Sequence, residues 1–288
     1  MGRCVLQTAE EKGQNMPKVK KKVRIQVADP AGNITIFVHD RFDRTDYADV
    51  ANQLLAMEEL KGEQVCYILD PIGDGGKPPK MEMCGLEFCG NASRSFALIS
   101  AKAQELKGDN DITVDVSGSD EDLNVSVNTD TNYTKILMPR ALRVFSEEIF
   151  GKPAMIADYG GIMHVVVRNI QASEETFARY REYINGKYDP PAMGVMFWDE
   201  VTERLAPVVY VKDVDTTYFE GSCGSGSTAT GTCFGILDGD GEHHYKLPQP
   251  AGTIDVTCIV EGGTAKEVYI EGPVGLSEVR EVEVELDR

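Results

Sequence analysis

The chain has 288 residues, of which 42% are hydrophobic, and a formal net charge of −18 at pH 7. This length is enough to bury a full hydrophobic core and suggests about two domains. Nucleic acids and anionic membranes both attract clustered lysine and arginine, so the acidic composition argues against either as a partner. We expect a globular protein whose acidity mainly reflects a well-solvated surface, although a negative field would also favour a cationic substrate over an anionic one.

Targeting and metal-binding signals are missing from the sequence. No apolar run approaches the roughly 20 residues that span a bilayer, and the N-terminus lacks the apolar centre of a secretory signal, so we expect a cytoplasmic protein. Residues 1–21 are polar and are predicted to form a flexible N-terminal extension, with Met16 as an alternative start. The seven cysteines include no C-x-x-C pair and no zinc-like spacing with histidine. Free thiols and no metal site are therefore expected.

The first half of the chain alternates strand and helix signals. Val23–Val27 and Ile34–Val38 flank a Pro-Ala-Gly-Asn turn, which predicts a hairpin. The apolar spacing from Asp46 to Lys61 predicts a helix, and a second helix is expected from about Gly90 to Leu106. Further strands are expected at 65–69, 112–116, 123–127 and 133–138, with a glycine-rich loop at 70–79.

A similar order follows after Pro139. The pattern predicts helices at 173–184 and at about 224–237. Strands are expected near Met155 and Val195 and at 164–167, 208–211, 254–260, 267–270 and 279–284.

One short motif occurs in both halves. Cys89-Gly90-Asn91-Ala92-Ser93 and Cys223-Gly224-Ser225-Gly226-Ser227 both read Cys-Gly-polar-small-Ser, and each lies where a turn gives way to a helix. Such self-similarity is typical of a duplicated unit. We predict an α+β fold of two pseudo-symmetric halves, each a mostly antiparallel sheet around a central helix. The halves are residues 22–138 with 277–288 and residues 139–276, with the cysteine-bearing ends facing each other across a cleft.

A cysteine at the start of a helix has an unusual environment. The unpaired N–H groups of the first turn favour a thiolate, so the thiol pKa is expected to fall from about 8.5 toward neutrality. The same N–H groups, at Gly90, Asn91, Gly224 and Ser225, can hold a substrate carboxylate. Two such thiols on opposite sides of one carbon suit the removal of a proton from one face and its return to the other, which is racemisation.

These motifs carry a resemblance to the diaminopimelate epimerase family of racemases and epimerases that work without pyridoxal phosphate. The family's Cys-Gly-Asn-Gly and Cys-Gly-Ser-Gly motifs resemble the segments that begin at Cys89 and Cys223. The resemblance implies a diaminopimelate epimerase-like fold, two catalytic cysteines and no cofactor. It also implies substrate-binding roles for Asn33, Gln64 and His164.

The chain departs from that family where a distal carboxylate would be bound. The family's Glu-Arg pair is missing from Val214 to Ser222, Ile162 replaces an asparagine, and Ala192-Met193-Gly194 stands where another asparagine is expected. The chain is also similar to the histidine racemases of the superfamily, which lack that distal apparatus. Histidine or another basic amino acid is therefore the predicted substrate. A homodimer is one assembly that we leave open.

Several residues have two interpretations. Glu220 is predicted to bind the substrate amine, with a solvated loop charge as the alternative, and Glu63 and Glu87 are weaker candidates. His164 is as compatible with a structural role as with substrate contact. Cys84 is a nearby alternative to Cys89 as the catalytic cysteine, but only Cys89 is followed by Gly-Asn and a predicted helix. Glu242-His243-His244 is expected to be an exposed turn rather than a metal site.

Three other functions stay open at this point. The chain could be a diaminopimelate epimerase proper, an isomerase that moves a proton along an unsaturated acid on the same fold, or a non-catalytic amino-acid-binding protein.

Overall fold

The computed structural model describes residues 18–287, and these residues form two compact units. One unit consists of residues 18–136 with 273–287, and the other is Leu137–Gly272. Cys4 and Met16, and residues 1–17 of the predicted extension, lie outside the described residues. The predicted boundaries of the two halves stay a prediction.

The unit of residues 18–136 and 273–287 is built on one sheet. The sheet has the strand order β7-β6-β5-β4-β3-β2-β1-β17, with β18 also pairing with β1. Neighbouring strands are antiparallel except for the β2–β3 and β4–β5 pairs. The elements are β1 (Lys18–Asp29), β2 (Thr35–Val38), α1 (Tyr47–Leu55), β3 (Gln64–Asp70), β4 (Lys80–Met83), α2 (Gly90–Ala103), β5 (Asp109–Val116), β6 (Leu123–Asn128), β7 (Tyr133–Leu137), β17 (Gly275–Leu276) and β18 (Arg280–Asp287).

Helix α2 is buried on all sides over its first three turns, although it contains several serines. Buried hydroxyls must be hydrogen-bonded, and here they bond within the helix itself. The Ser93 Oγ donates to the carbonyl of Cys89, and the Ser95 Oγ donates to the carbonyl of Asn91, both at 2.8 Å. Short polar side chains therefore allow a helix to occupy the centre of the unit.

The unit Leu137–Gly272 contains a six-stranded sheet of order β13-β12-β11-β10-β9-β8, in which only the β10–β11 pair is parallel. A second antiparallel run, β14-β15-β16, packs against helix α4. Helix α3 buries Phe177, Tyr180 and Ile184 against the six-stranded sheet. The elements are β8 (Arg143–Ile149), β9 (Lys152–Asp158), β10 (Met163–Arg168), α3 (Glu174–Lys187), β11 (Ala192–Asp199), β12 (Arg204–Val211), β13 (Thr216–Phe219), α4 (Gly224–Asp238), β14 (Gly241–Pro248), β15 (Thr253–Glu261) and β16 (Thr264–Pro273).

Helix α4 is the counterpart of α2. Hydroxyls at Ser227, Thr228 and Thr230 donate to carbonyls four residues earlier. Two glycines face strand β15, where a Cβ built at Gly231 would lie 2.4 Å from Val256 Cγ1 and one at Gly235 would lie 2.7 Å from Cys258 Sγ. The missing side chains let the helix approach the strand closely. None of the helices between residues 18 and 287 has the length and apolar character needed to cross a membrane.

The structure confirms the predicted β1–β2 hairpin and the helices α2, α3 and α4. Several details differ. The helix expected to run to Lys61 ends at Leu55 and is followed by a short 3-10 helix, Glu58–Leu60. Strand β1 begins at Lys18, so residues 18–21 are paired with β18 rather than loose. Strands β4, β8, β13, β14 and β17 were not predicted. Strands β4 and β17 are four and two residues long, and the sequences of β8, β13 and β14 lack regular apolar alternation.

The packing of α4 on β15 gives a stability prediction. Gly231→Ala is expected to lower the free energy of unfolding by about 1–3 kcal/mol, because the added methyl meets Val256 in a close-packed interface. Gly186→Ala is the matched control in helix α3, where a Cβ meets nothing within 4 Å. That substitution is expected to leave stability unchanged or raise it by up to about 1 kcal/mol. Urea denaturation of both variants measures the difference, and equal midpoints would contradict it.

Candidate active site

Cys89 is the N-cap residue of helix α2. Its backbone is extended, with φ −135° and ψ 109°, and its Sγ accepts the N–H of Ala92 at 3.5 Å. The carbonyl of Cys89 accepts the Ser93 hydroxyl. The sulfur thus takes the position in which serine or aspartate commonly caps a helix.

Cys223 occupies the same position on helix α4. Its φ and ψ are −127° and 110°, and its Sγ accepts the N–H of Gly226 at 3.3 Å. Its carbonyl accepts the Ser227 hydroxyl at 2.7 Å. A Cβ at Gly226 would lie 2.2 Å from Met196 Sδ, so only glycine fits here without a shift of that methionine. The repeated sequence motif therefore corresponds to a repeated local geometry, one copy in each unit.

The Cys89 thiol does not show the pKa that its helix position predicts. Burial raises the pKa of Cys89, because a thiolate loses its hydration there. The N–H of Ala92 and the amide of Gln64 act in the opposite direction but do not reverse the shift. The expectation that the helix start lowers the pKa of this thiol is therefore wrong.

Three predicted residues gather around Cys89. The Gln64 Nε2 donates to Cys89 Sγ at 3.3 Å and to Asn33 Oδ1 at 3.0 Å. The Asn91 Nδ2 also donates to Asn33 Oδ1, at 3.4 Å, and the Asn33 Nδ2 donates to a carboxylate oxygen of Glu63 at 3.2 Å. These amides are buried. The unit thus brings Asn33, Gln64, Asn91 and Cys89 into one hydrogen-bonded network.

His164 lies beside the Cys223 motif. Its Nε2 is 3.1 Å from Ser225 Oγ, which in turn is 3.5 Å from Cys223 Sγ. The ring is fully buried, and burial lowers the pKa of His164 to about 3. Gly194 is its register partner on the neighbouring strand, where a Cβ would lie 2.5 Å from His164 Nδ1. The glycine found where an asparagine was expected therefore makes room for the imidazole.

The burial and contacts of the other candidate residues distinguish between their alternative interpretations. Glu220 is only 9% exposed, which argues against a solvated loop charge. The Cys84 Sγ donates to the carbonyl of Tyr47 inside the core of its unit, so Cys84 does not take the place of Cys89. Cys66, Cys233 and Cys258 are also buried. Residues 242–244 lie in strand β14, so the predicted turn is wrong, although Glu242 and His244 are exposed as expected.

Sequence reasoning missed two buried polar residues near the cysteines. Arg94 is fully buried on α2 and donates through Nε to Asn91 Oδ1 at 3.1 Å. Gln249 is 2% exposed, and its side-chain amide bonds the segment around Cys223. Arg94 stands in a helix whose burial on all sides was not predicted. Gln249 lies between two prolines in a stretch without a motif, so the sequence contains no signal for its contact.

Comparisons with known sequences identify the family of the chain. Residues 22–280 match the model of the histidine racemase CntK N-terminal domain. A histidine racemase from Staphylococcus aureus is 32% identical over 238 residues, which cover 79% of this chain and 85% of the relative. A histidine racemase from Fusobacterium nucleatum is 32% identical over 268 residues, covering 87% and 95%. The chain belongs to the histidine racemase family. It is therefore an isomerase, an amino-acid racemase, and the predicted resemblance is confirmed.

Solved structures of this family's wider fold class confirm the architecture. A predicted epimerase from Pseudomonas aeruginosa superposes with a TM-score of 0.64 at 12% identity, covering 91% of this chain and 99% of that one. A Bacillus anthracis phenazine biosynthesis protein of the PhzF family gives 0.61 at 14% identity, covering 91% and 99%. A hydroxyproline epimerase from Agrobacterium vitis gives 0.56 at 11% identity, covering 93% of each chain. The predicted α+β fold is confirmed for this member of the histidine racemase family.

The environment of His164 gives a prediction of pH dependence. Its pKa is about 3 in the folded chain and 6.5 ordinarily. Between these values the unfolded chain binds a proton at this residue that the folded chain does not, so stability falls as the pH falls. Relative to His164→Gln, the native protein should lose about 1.4 kcal/mol per pH unit below about pH 6.5. Urea unfolding at pH 7, 6 and 5 measures this loss, and parallel pH profiles for the two proteins would contradict it.

Proposed function

We propose that this chain racemises free histidine without a cofactor, using Cys89 and Cys223 as its two proton-transferring groups. The observation that carries the proposal is the thiol-capped helix start that occurs once in each unit, with backbone angles within 10° of each other and the same pattern of hydrogen bonds. The choice of histidine rests on the relatives of that name, which match most of the chain at about one-third identity.

In the proposed step, one cysteine is a thiolate and the other a thiol. The thiolate takes the proton from Cα of the bound amino acid, breaking the C–H bond and forming an S–H bond. The thiol gives its proton to the opposite face of Cα, forming a new C–H bond and leaving a thiolate. The net charge is unchanged, and the two cysteines have exchanged roles for the other enantiomer.

The carbanion-like transition state needs stabilisation from the protein. The first-turn N–H groups of an α-helix have no partner within the helix, and they lie at a positive dipole end. We propose that those of Gly90, Asn91, Gly224 and Ser225 hold the substrate carboxylate, where charge accumulates as Cα is deprotonated. The polar side chains of Asn33, Gln64, His164 and Glu220 complete the proposed binding set.

The raised pKa of Cys89 has a consequence for the resting enzyme. A buried thiol that resists ionisation is protonated at neutral pH. In the proposed mechanism, the N–H contacts to this sulfur must therefore strengthen before Cys89 acts as a base. Gln64, which already donates to this sulfur, is placed to contribute to that change.

The alternatives are less well supported by the residues. Diaminopimelate has a second carboxylate, and no arginine stands in Val214 to Ser222 to bind it. An isomerase of an unsaturated acid on this fold does not need the two-cysteine pair that this chain has kept. We further propose a cytoplasmic location, and a homodimer that light scattering would test.

The proposed reaction predicts α-deuteration of histidine with inversion in deuterated water. The wild-type chain should convert L-histidine to α-deuterated D-histidine, and L-lysine, L-ornithine, L-glutamate and diaminopimelate should react more slowly. Chiral chromatography with mass spectrometry measures both changes. If none of these amino acids exchanges its α-proton, the racemase proposal is wrong for this panel and the binding-protein alternative gains support.

Single cysteine variants separate the two proposed roles. Cys89→Ala and Cys223→Ala should each lose inversion by about 10²–10⁴-fold or more, the usual effect of a general acid or base. Each variant keeps one thiol, so each should still exchange the α-proton of one enantiomer with retention, and the two variants should prefer opposite enantiomers. Cys84→Ala, at a buried thiol in the core, is the control that keeps activity. Inversion at the native rate in either catalytic variant would remove that cysteine from the mechanism.

A further inference from the structure

Gln249 follows directly after strand β14 and makes a closed set of hydrogen bonds with the cap of helix α4. Its Oε1 accepts the backbone N–H of Cys223 at 2.8 Å. Its Nε2 donates to Ser227 Oγ at 2.9 Å, and that hydroxyl donates to the carbonyl of Cys223 at 2.7 Å. The two peptide groups on either side of the Cys223 Cα are thus joined through one glutamine and one serine.

The backbone of Gln249 is itself held in place. Its N–H donates to the carbonyl of Gly252 at 2.7 Å, and its carbonyl accepts the guanidinium of Arg204 at 3.0 Å. The same turn makes a second link to the cysteine segment, because the N–H of Ala251 donates to the carbonyl of Gly221 at 2.8 Å. Because the backbone of Gln249 is held at the end of β14 and its side-chain amide is bonded to the cap of α4, the position of β14 fixes the position of Cys223.

Cys89 has a different support. There a glutamine also contributes, but Gln64 donates to the sulfur itself. The residue that follows β5, as Gln249 follows β14, is Ser117, and its hydroxyl bonds Met83 and Glu87 rather than the cysteine. The two thiols therefore depend on separate residues, so one can be disturbed without the other.

We infer that Gln249 is a positioning residue for Cys223, which sets the direction of its thiol toward the substrate Cα without touching the substrate. The inference rests on the proposed racemase function. Proton transfer depends steeply on alignment, and a misplacement of about 1 Å can cost about 100-fold in rate. Loss of the Gln249 contacts should therefore slow the transfer that involves Cys223 and leave the transfer that involves Cys89 unchanged.

The isotope effect in each direction separates this role from a general loss of structure. In Gln249→Leu, transfer at Cys223 becomes the slow step in both directions. The primary deuterium isotope effect should then rise for the enantiomer whose proton Cys223 removes, and fall toward 1 for the other enantiomer. A purely structural effect lowers both rates and leaves the ratio of the two isotope effects as in the wild type.

The experiment compares α-deuterated L- and D-histidine with four variants. Gln249→Leu and the smaller change Ser227→Ala should shift the ratio of isotope effects in the same sense, with turnover reduced about 10- to 100-fold in the former. Gln64→Leu, which disturbs Cys89, should shift it in the opposite sense. Gln104→Leu, at an exposed glutamine near the end of α2, is the control and should match the wild type. Unchanged ratios in folded Gln249→Leu and Ser227→Ala proteins would overturn the inference.

A second measurement does not need a substrate. Iodoacetamide labelling, followed by peptide mass spectrometry, gives the alkylation rate of each cysteine. Loosening of the cap exposes the buried sulfur, so Gln249→Leu should raise the rate at Cys223 at least about threefold and leave Cys89 unchanged. If the wild type exchanges no amino acid, the proposed function fails while this result still decides the inference. Equal labelling of Cys223 in wild type and variant would overturn it.

Discussion

The hydrogen bond from a first-turn N–H to a cysteine sulfur is the interaction on which the proposed site depends. It occurs at Ala92 for Cys89 and at Gly226 for Cys223. In each case the cysteine must have an extended backbone so that its side chain turns back over the helix start. That geometry brings the sulfur beside the N–H groups that would bind a carboxylate, so one local conformation supplies both the proposed acid-base group and the proposed anion site.

The central burial of α2 and α4 follows from this requirement. The proposed chemistry requires that each helix start be held firmly, and both helices are enclosed by their units for most of their length. Polar groups on an enclosed helix lose their contacts with water. The serine and threonine hydroxyls of these helices instead donate hydrogen bonds to helix carbonyls. Glycines on α4 then allow strand β15 to pack against its backbone. The unusual small and polar composition of these helices is thus a consequence of where they must lie.

Much of this arrangement could be predicted from the sequence, because the two Cys-Gly motifs are local. The helix starts and the hairpin depend on neighbouring residues. The preference for Cys89 over Cys84, which stays a prediction, also depends on them. The support of each thiol depends on residues 25 or 26 positions away, as for Gln64 with Cys89 and Gln249 with Cys223. Gln64 was anticipated only through a family resemblance, and Gln249 had no such signal. The pKa of Cys89 was also mispredicted, since the helix start was considered without the loss of hydration that burial imposes.

Cysteine is an unusual choice for a helix cap, and the surrounding contacts make sense in that light. Serine, threonine, aspartate and asparagine cap helices well because oxygen is a strong acceptor, whereas sulfur is a weak one. A helix that begins with cysteine gives up part of its capping energy in return for a group that can donate and accept protons. The hydrogen bonds from the Ser93 and Ser227 hydroxyls to the two cysteine carbonyls help to hold the backbone of each cap in place. Local rules of stability are most often broken at residues that serve function, and the proposed catalytic role of both cysteines accounts for these two unusual caps.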